Sequence, residues 1–236
     1  MFKKFFQATL AVVTLSSALP ASAAVILSSD FTGTSGDASN VTWTENDVSV
    51  TNTLDPQDSS LNSLDLFSTY SDVFAVDHNL HDDGDWFVDI FVSVSDMVQD
   101  IALDFLSLDV SIFNNAGAYQ SVERDLSFSL EIFDGVSSIF SQTATVYSGD
   151  SSTATSGTES VLFDLDLANI ILNGDSNYTF TLTASGIGRG TNAGFDNFLL
   201  TGNSTALPSV SVSAPGSVLL LLASLLIMSA RLKKKS

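Results

Sequence analysis

Apolar and polar residues alternate along most of the central part of the chain. Residues 126–132 read LSFSLEI, and residues 179–183 read TFTLT. Because successive side chains of a β-strand point to opposite faces of a sheet, this period of two predicts strands with one buried face. Val, Thr and Phe, which favour such a pleated surface, dominate these segments together with Ser. The pattern therefore predicts an all-β fold.

Turn sequences such as Asp134-Gly135 and Asn173-Gly174-Asp175 separate the alternating segments. About ten short strands at this spacing indicate an antiparallel β-sandwich, which we expect to be of jelly-roll type. A single helical turn is expected at Ala168–Leu172. Besides the two segments above, the expected strands are Val25–Phe31, Val41–Thr44, Val48–Thr53, Leu61–Phe67, Trp86–Val94, Ile101–Phe113, Val136–Tyr147, Val161–Leu167 and Phe195–Thr201.

The first 23 residues carry the three parts of a secretory signal peptide. Lys3 and Lys4 form a basic start, an apolar stretch follows, and Ala21-Ser22-Ala23 is a small-x-small cleavage site whose small residues are Ala21 and Ala23. A first transmembrane helix is the alternative, but Ser, Thr and Pro interrupt an already short apolar run. We expect residues 1–23 to direct export through the Sec machinery and then to be removed.

The C-terminal end combines a short apolar stretch, Ser217–Ala230, with a basic cluster. As a helix rising ~1.5 Å per residue, this stretch of 14 residues spans roughly 21 Å, short of the ~30 Å hydrocarbon core. Under the positive-inside rule the basic cluster forms a cytoplasmic stop, so the exported body is expected to be tethered outside. The cluster consists of Arg231, Lys233, Lys234 and Lys235.

The order of these C-terminal parts resembles the PEP-CTERM sorting signal of Gram-negative bacteria that make exopolysaccharide. Ala214-Pro215-Gly216 precedes the Leu-rich stretch and the basic end, and stands where Pro-Glu-Pro is usual in that family. The resemblance implies processing near Pro215 by an exosortase, a membrane-embedded cysteine protease, after transient anchoring in the inner membrane. A plain single-span anchor is the alternative.

Between the two ends, residues 24–206 are expected to form one β-sandwich domain, and residues 207–236 the sorting and anchor segment. The chain contains no Cys, so the core of this exported domain must hold without disulfides. Apolar periodicity gives way to Ser, Thr and Pro over Gly202–Ser213, which predicts a flexible linker there.

Two strand segments resemble parts of jelly-roll domains. Asp125–Gly135 looks like the central strand and turn of the jelly rolls common in sorting-signal proteins, and Gly194–Leu200 is similar to their closing strand and to that of galactose-binding-like carbohydrate modules. In such modules a structural Ca²⁺ often joins the first strand to the closing one, which implies Asp30 and Asp196 as candidate ligands. Backbone carbonyls would have to complete the about six to eight oxygens that Ca²⁺ prefers.

The charge distribution excludes a nucleic-acid binder. All 27 acidic residues lie between Asp30 and Asp196, where Arg124 and Arg189 are the only Lys or Arg, and the formal charge of the whole chain is −19. Binding to phosphate needs clustered cations. We expect the acidity to keep an exported body soluble.

Other polar segments offer little chemistry. Asp77–Asp85 holds both histidines of the chain, but neither His78 nor His81 has an identifiable third zinc ligand, and an exposed acidic loop is the simpler interpretation, with weak Ca²⁺ binding as the alternative. No nucleophile elbow accompanies them. Four aromatic residues could stack on sugars or belong to the core: Trp43, Trp86, Tyr119 and Tyr147.

We therefore expect a non-enzymatic, exported protein of the cell surface or extracellular matrix, associated with exopolysaccharide. A calcium-dependent carbohydrate-binding jelly roll is one alternative. A secreted glycoside hydrolase or lyase is another, because the many acidic residues supply accidental carboxylate pairs.

Overall fold

The computed structural model describes residues 23–34, 36–68, 72–77, 85–114, 116, 126–147, 161–187 and 191–208. Within them the chain forms fourteen β-strands and one 3-10 turn, Ala38–Asn40. The strands are β1 (Ala24–Ser29), β2 (Thr44–Glu45), β3 (Val48–Val50), β4 (Gln57–Asp58), β5 (Asp65–Leu66), β6 (Phe74–Asp77), β7 (Trp86–Val94), β8 (Val98–Asn114), β9 (Leu126–Phe133), β10 (Ser138–Tyr147), β11 (Val161–Asp166), β12 (Ile171–Asn173), β13 (Asn177–Ser185) and β14 (Thr191–Ala206).

The strands form two antiparallel sheets. Sheet A follows the order β11-β8-β14-β1-β2, and β12 also pairs with β8 while β6 pairs with β14. Sheet B follows the order β10-β9-β13-β7-β3, and β4 also pairs with β7. The prediction of an all-β fold is confirmed.

The inner faces of the two sheets share one hydrophobic core, which makes the fold a β-sandwich. Alternate residues of β7, β9 and β13 are buried, so the period-two pattern of the sequence selects the face that packs. Trp86 of sheet B lies against Phe195 of sheet A, with ring centroids 6.3 Å apart. Burying one large apolar side chain in this way stabilises the folded state by about 1.5–3 kcal/mol.

The helical turn predicted at Ala168–Leu172 is wrong. The N–H of Ile170 donates to the carbonyl of Leu167, which closes a tight turn, and the chain then continues as strand β12. Strand β8 is 17 residues long, and β11 pairs only with its part from Phe105 to Val110. The remaining part of that edge is available, and β12 occupies it. Tertiary pairing here overrides the local preference.

Other boundaries also differ from the sequence pattern. The strand predicted at Leu61–Phe67 is only Asp65–Leu66, and the one predicted at Val48–Thr53 ends at Val50. Strand β2 is Thr44–Glu45 rather than Val41–Thr44. The linker predicted to begin at Gly202 begins later, because β14 continues to Ala206. A Cβ atom at Gly202 would lie 2.6 Å from the carbonyl oxygen of Ala102 on β8, so a glycine is required by the close approach of two strands.

By its internal contacts the chain divides into two units, Met1–Thr205 and Ala206–Ser236. Residues 1–22 of the predicted signal peptide and residues 209–236, with the predicted sorting motif and basic cluster, lie outside the described residues. Their roles stay predictions. Within the described ranges, no helix has the length and apolar character needed to cross a membrane.

The two faces of β9 can be tested with a matched pair of substitutions. Leu130 is fully buried, whereas the neighbouring Ser129 points to the outer face of sheet B. Leu130→Ala should lower the free energy of unfolding by about 3 kcal/mol, because it leaves a cavity in the shared core. Ser129→Ala should change it by less than about 0.5 kcal/mol. Urea denaturation measures both, and similar losses in the two variants would contradict this assignment of faces.

Candidate functional site

A strained turn follows β1 where that strand lies beside β14. Phe31 adopts a left-handed conformation with φ 49°, which costs a bulky residue roughly 1–2 kcal/mol. Two side chains hold the turn: the Ser29 hydroxyl accepts from the N–H of Phe31 at 3.1 Å, and the Asp30 carboxylate accepts from the N–H of Thr32 at 3.1 Å. The buried Phe31 ring lies edge-on to Phe195, 5.2 Å away. The turn thus fixes the Asp30 carboxylate at the surface.

Asp196 of β14 lies near this turn in an acidic neighbourhood. Partial burial raises its pKa to about 6, and the charges of Asp109, Asp30 and Asp72 add to this. The N–H of Asn197 donates to the Asp196 carboxylate at 2.6 Å and acts in the opposite direction. The pKa of Asp30, in contrast, is lowered, chiefly by the hydrogen bond from the backbone of Thr32.

Asn197 bridges two of these carboxylates. Its backbone is left-handed, with φ 51°, and its side-chain amide donates to Asp109 of β8 at 2.9 Å. The hydrogen bonds of Asp196 and Asn197 therefore organise this part of β14.

Calcium binding by Asp30 and Asp196, as predicted, would need further oxygen donors. Among the described residues, no three Asp, Glu or His side chains are arranged to hold a metal ion. Two carboxylates fall well short of the about six to eight oxygens that Ca²⁺ prefers. The described side chains do not by themselves make a calcium site, and the role stays a prediction that depends on backbone carbonyls.

A surface groove of about 500 Å³ runs beside the turn. Its lining includes hydroxyl-bearing residues of β1 and β2 together with Asp30. Trp43 does not line this groove; its half-buried ring packs edge-on to Phe198 at 5.3 Å and to Phe31 at 5.9 Å. The groove is lined by Ser28, Ser29, Asp30, Thr42, Thr44, Asn197, Phe198 and Leu199.

The other residues proposed to stack on sugars do not form a site. Trp86 is fully buried between the sheets, with Phe128 edge-on at 5.9 Å, so it belongs to the core. Its ring N–H has no hydrogen-bond acceptor among the described residues. Tyr119, His78 and His81 lie outside the described residues, and so does the side chain of Tyr147.

A second surface, which sequence reasoning missed, lies on the outer face of sheet B. Thr179 of β13 pairs with Phe91 on one side and with Phe133 on the other. These three residues form a row across neighbouring strands, and because strands lie about 4.8 Å apart the two Phe residues are anchored about 10 Å apart. The Phe91 side chain is 43% exposed. We call this row and the next, Glu131-Thr181-Asp89, the Phe91 face.

Hydrogen bonds hold the Phe91 face in place. The N–H of Phe91 donates to the Asn52 side chain at 2.8 Å, and the same side chain donates to the carbonyl of Asp89 at 2.9 Å. The Thr181 hydroxyl donates to the Asp89 carboxylate at 2.6 Å. A groove of about 300 Å³ adjoins the row, lined by Thr51, Phe91, Val92, Gly135, Asn177, Tyr178 and Thr179.

One sequence signal could have found this surface. In β7, WFVDIFVSV, the residues at outward positions include Phe87 and Phe91, whereas outward positions of β9 and β13 are mostly Ser and Thr. Two Phe residues on the solvent side of one strand therefore depart from the Ser and Thr pattern of its neighbours.

Comparison with known proteins gives no family. The chain matches no protein-family model and no curated protein. Among solved structures it is similar to the mosquito-larvicidal Cry4Aa toxin from Bacillus thuringiensis, with a TM-score of 0.30, 14% identity, and coverage of 51% of this chain and 19% of the toxin. For an arabinose-bound α-L-arabinofuranosidase, MgGH51, the TM-score is 0.35 with 10% identity, covering 66% of this chain and 23% of that one. The chain thus spans about a fifth of either protein.

The raised pKa of Asp196 makes stability depend on pH. Because the folded-state pKa of about 6 lies above the ordinary 3.8, folding favours the protonated form, and the free energy of unfolding should fall as pH rises from about 4 through 6. Asp196→Asn keeps an acceptor for the N–H of Asn197 and removes the charge. It should stabilise the protein by about 1 kcal/mol at pH 7, a figure reduced for solvent screening, and by little at pH 4.

Chemical denaturation at a series of pH values measures this difference. Asp134→Asn is the matched control, because Asp134 is an exposed carboxylate that also accepts a backbone N–H, on the turn between β9 and β10 of sheet B. A stabilisation by Asp196→Asn that is the same at pH 4 and pH 7 would show that the charge of Asp196 is not its cause.

Proposed function

We propose that this chain is a non-enzymatic protein of the bacterial cell surface or extracellular matrix that is exported, processed at its C-terminal segment and held in exopolysaccharide. A signal peptide, Sec export, transient membrane anchoring and an exosortase-type protease are parts of this proposal. It draws on the two end segments of the sequence and on the acidic, disulfide-free body between them.

The observation that carries the export proposal is the pairing of the first and last strands. Ala24, the first residue after the proposed cleavage site, is paired with Gly202 in β14. Both ends of the body therefore leave sheet A on the same side. A body with this arrangement can complete sheet A while both hydrophobic end segments are still held in one membrane. The arrangement therefore supports an export route that includes a membrane-bound stage.

The end of β14 supports processing without loss of structure. The last strand ends at Ala206, and residues 207–213 separate it from Ala214-Pro215-Gly216. A cut near Pro215 would remove no strand of either sheet. The released body would keep its complete core.

We also infer that the sandwich is of jelly-roll type. The chain passes from β7 in sheet B to β8 in sheet A and back to β9 in sheet B. It later crosses from β12 in sheet A to β13 in sheet B and returns as β14. Repeated crossing between two antiparallel sheets is typical of jelly rolls and supports this connectivity.

The Phe91 face is the proposed contact with polysaccharide. Exposed aromatic rings can cover the apolar C–H face of a sugar, and the hydroxyl and carboxylate groups beside them can bond to its hydroxyl groups. On this face the rings of Phe91 and Phe133 flank Thr179, and Glu131 and Asp89 flank Thr181. A calcium-dependent carbohydrate-binding module remains the second candidate, favoured by the proximity of Asp30 to Asp196.

The processing proposal predicts the ends of the mature protein. Mass spectrometry of the protein from fractionated cells should find Ala24 at the N-terminus and a C-terminus that lacks the basic cluster, because exosortase processing removes it. An envelope-bound form that retains Lys233, Lys234 and Lys235 would instead support a plain anchor.

The contact proposal predicts a loss of polysaccharide binding in Phe91→Ala. Affinity electrophoresis in gels containing exopolysaccharide from the producing cells should show binding weakened about tenfold, since one stacking surface is lost. Met97→Ala is the matched control, because Met97 is 73% exposed on the turn after β7. Unchanged retardation of Phe91→Ala would contradict the contact, and binding abolished by EDTA would favour the calcium-dependent candidate.

A further inference from the structure

Strand β10 forms one edge of sheet B. It is 10 residues long and pairs with β9; β11 of sheet A lies near it without pairing, and no described strand forms hydrogen bonds with its other side. A free edge of this length exposes a row of backbone donors and acceptors that can pair with another strand. Proteins commonly protect such edges with charged residues, Pro or bulges.

Charge protection is absent from this edge. Residues 136–147 read VSSIFSQTATVY and contain neither a charged residue nor Pro, in a chain with 27 Asp and Glu. The other described edge strands are acidic or short: β11 contains Asp164 and Asp166, β2 contains Glu45, and β3 has three residues. Strand β10 is thus the one long, uncharged edge among the described strands.

We propose that β10 pairs in antiparallel fashion with β10 of a second copy of this chain. The occupant follows from charge. Two copies whose bodies carry 27 Asp or Glu against only Arg124 and Arg189 repel one another, and they approach at the lowest electrostatic cost where both surfaces are uncharged. An antiparallel pair of identical strands is also self-complementary, as a two-fold interface requires.

The register of β10 limits where the two strands meet. Its pairing with β9 is irregular between Ser138 and Phe140 and again between Thr145 and Tyr147. Between these irregularities, Ser141 and Thr143 are exposed and belong to the outer face. We place the two-fold axis beside Thr143, so that this residue faces its counterpart.

The pairing joins two B sheets into one continuous sheet. Because the two-fold axis of an antiparallel strand pair is perpendicular to the sheet, both Phe91 faces lie on the same side of the dimer. A dimer would then offer two copies of that surface to one polymer and raise its avidity. The dimer itself rests on the edge of β10 and does not depend on the proposed sugar contact.

Self-association can be tested on the mature protein isolated from the producing cells. Sedimentation velocity from about 1 to about 300 µM should show a monomer–dimer equilibrium, since a single strand pair makes a small interface. Added salt should strengthen the dimer by screening the repulsion between acidic bodies. Thr143→Lys should weaken it at least about tenfold, because like charges then face each other across the axis.

The control is Thr44→Lys on β2, which makes the same change at an exposed position of an acidic edge. It should leave the dimer unchanged, and circular dichroism should show that both variants keep the β fold. A protein that is monomeric at all concentrations, or a dimer that is equally sensitive to both substitutions, would overturn the proposal.

Cysteine cross-linking gives an independent measurement. The chain has no Cys, so an introduced Cys is its only thiol. Opposed residues of an antiparallel pair have the spacing that a disulfide needs. Mild oxidation should link Thr143→Cys into a covalent dimer much faster than Thr44→Cys. Equal cross-linking at the two positions would show that collisions, rather than the β10 pair, bring the chains together.

Discussion

The packing of the Phe195 ring between the sheets is the contact on which the rest of the structure depends. Its centroid lies 5.0 Å from Phe74, 5.2 Å from Phe31 and 6.3 Å from Trp86. These partners belong to β6, to the turn after β1 and to β7. One side chain therefore contacts both sheets and the strained turn. With no disulfide in the chain, aromatic burial of this kind has to stabilise the sandwich.

The position of Phe195 also sets the order in which the sandwich can close. Strand β14 lies between β8 and β1 in sheet A, although it is the last strand of the chain. The centre of sheet A therefore stays incomplete until residues 191–206 are available, and pairs that are distant in sequence form slowly. For an exported chain, a C-terminal segment that holds the protein at the membrane would give this last strand time to insert. The late insertion of β14 and the proposed membrane anchoring thus both involve the C-terminal end of the body.

The sequence was sufficient to predict those strands in which buried and exposed residues alternate. The segment Trp86–Val94 was predicted with the bounds that β7 has, because every second residue faces the core. Strand β6 was not predicted, since Phe74, Ala75 and Val76 are all buried and leave no period of two. Two-residue strands such as β2 depend on a partner that is distant in sequence. For the same reason the sequence could suggest Asp30 and Asp196 as neighbours but not Asp109 and Asp72 beside them.

The exceptions to the alternation carry the functional argument. Acidic residues gather at one end of sheet A, where Asp196 keeps a raised pKa among Asp109, Asp30 and Asp72. The outer face of sheet B presents many hydroxyl groups, with Phe91 exposed beside Asp89 and Glu131, and its edge strand β10 carries no charge. Like-charged molecules approach through their least charged surfaces, and apolar sugar faces adsorb to exposed rings. The two proposed contacts, with a polymer and with another copy, thus both lie on sheet B.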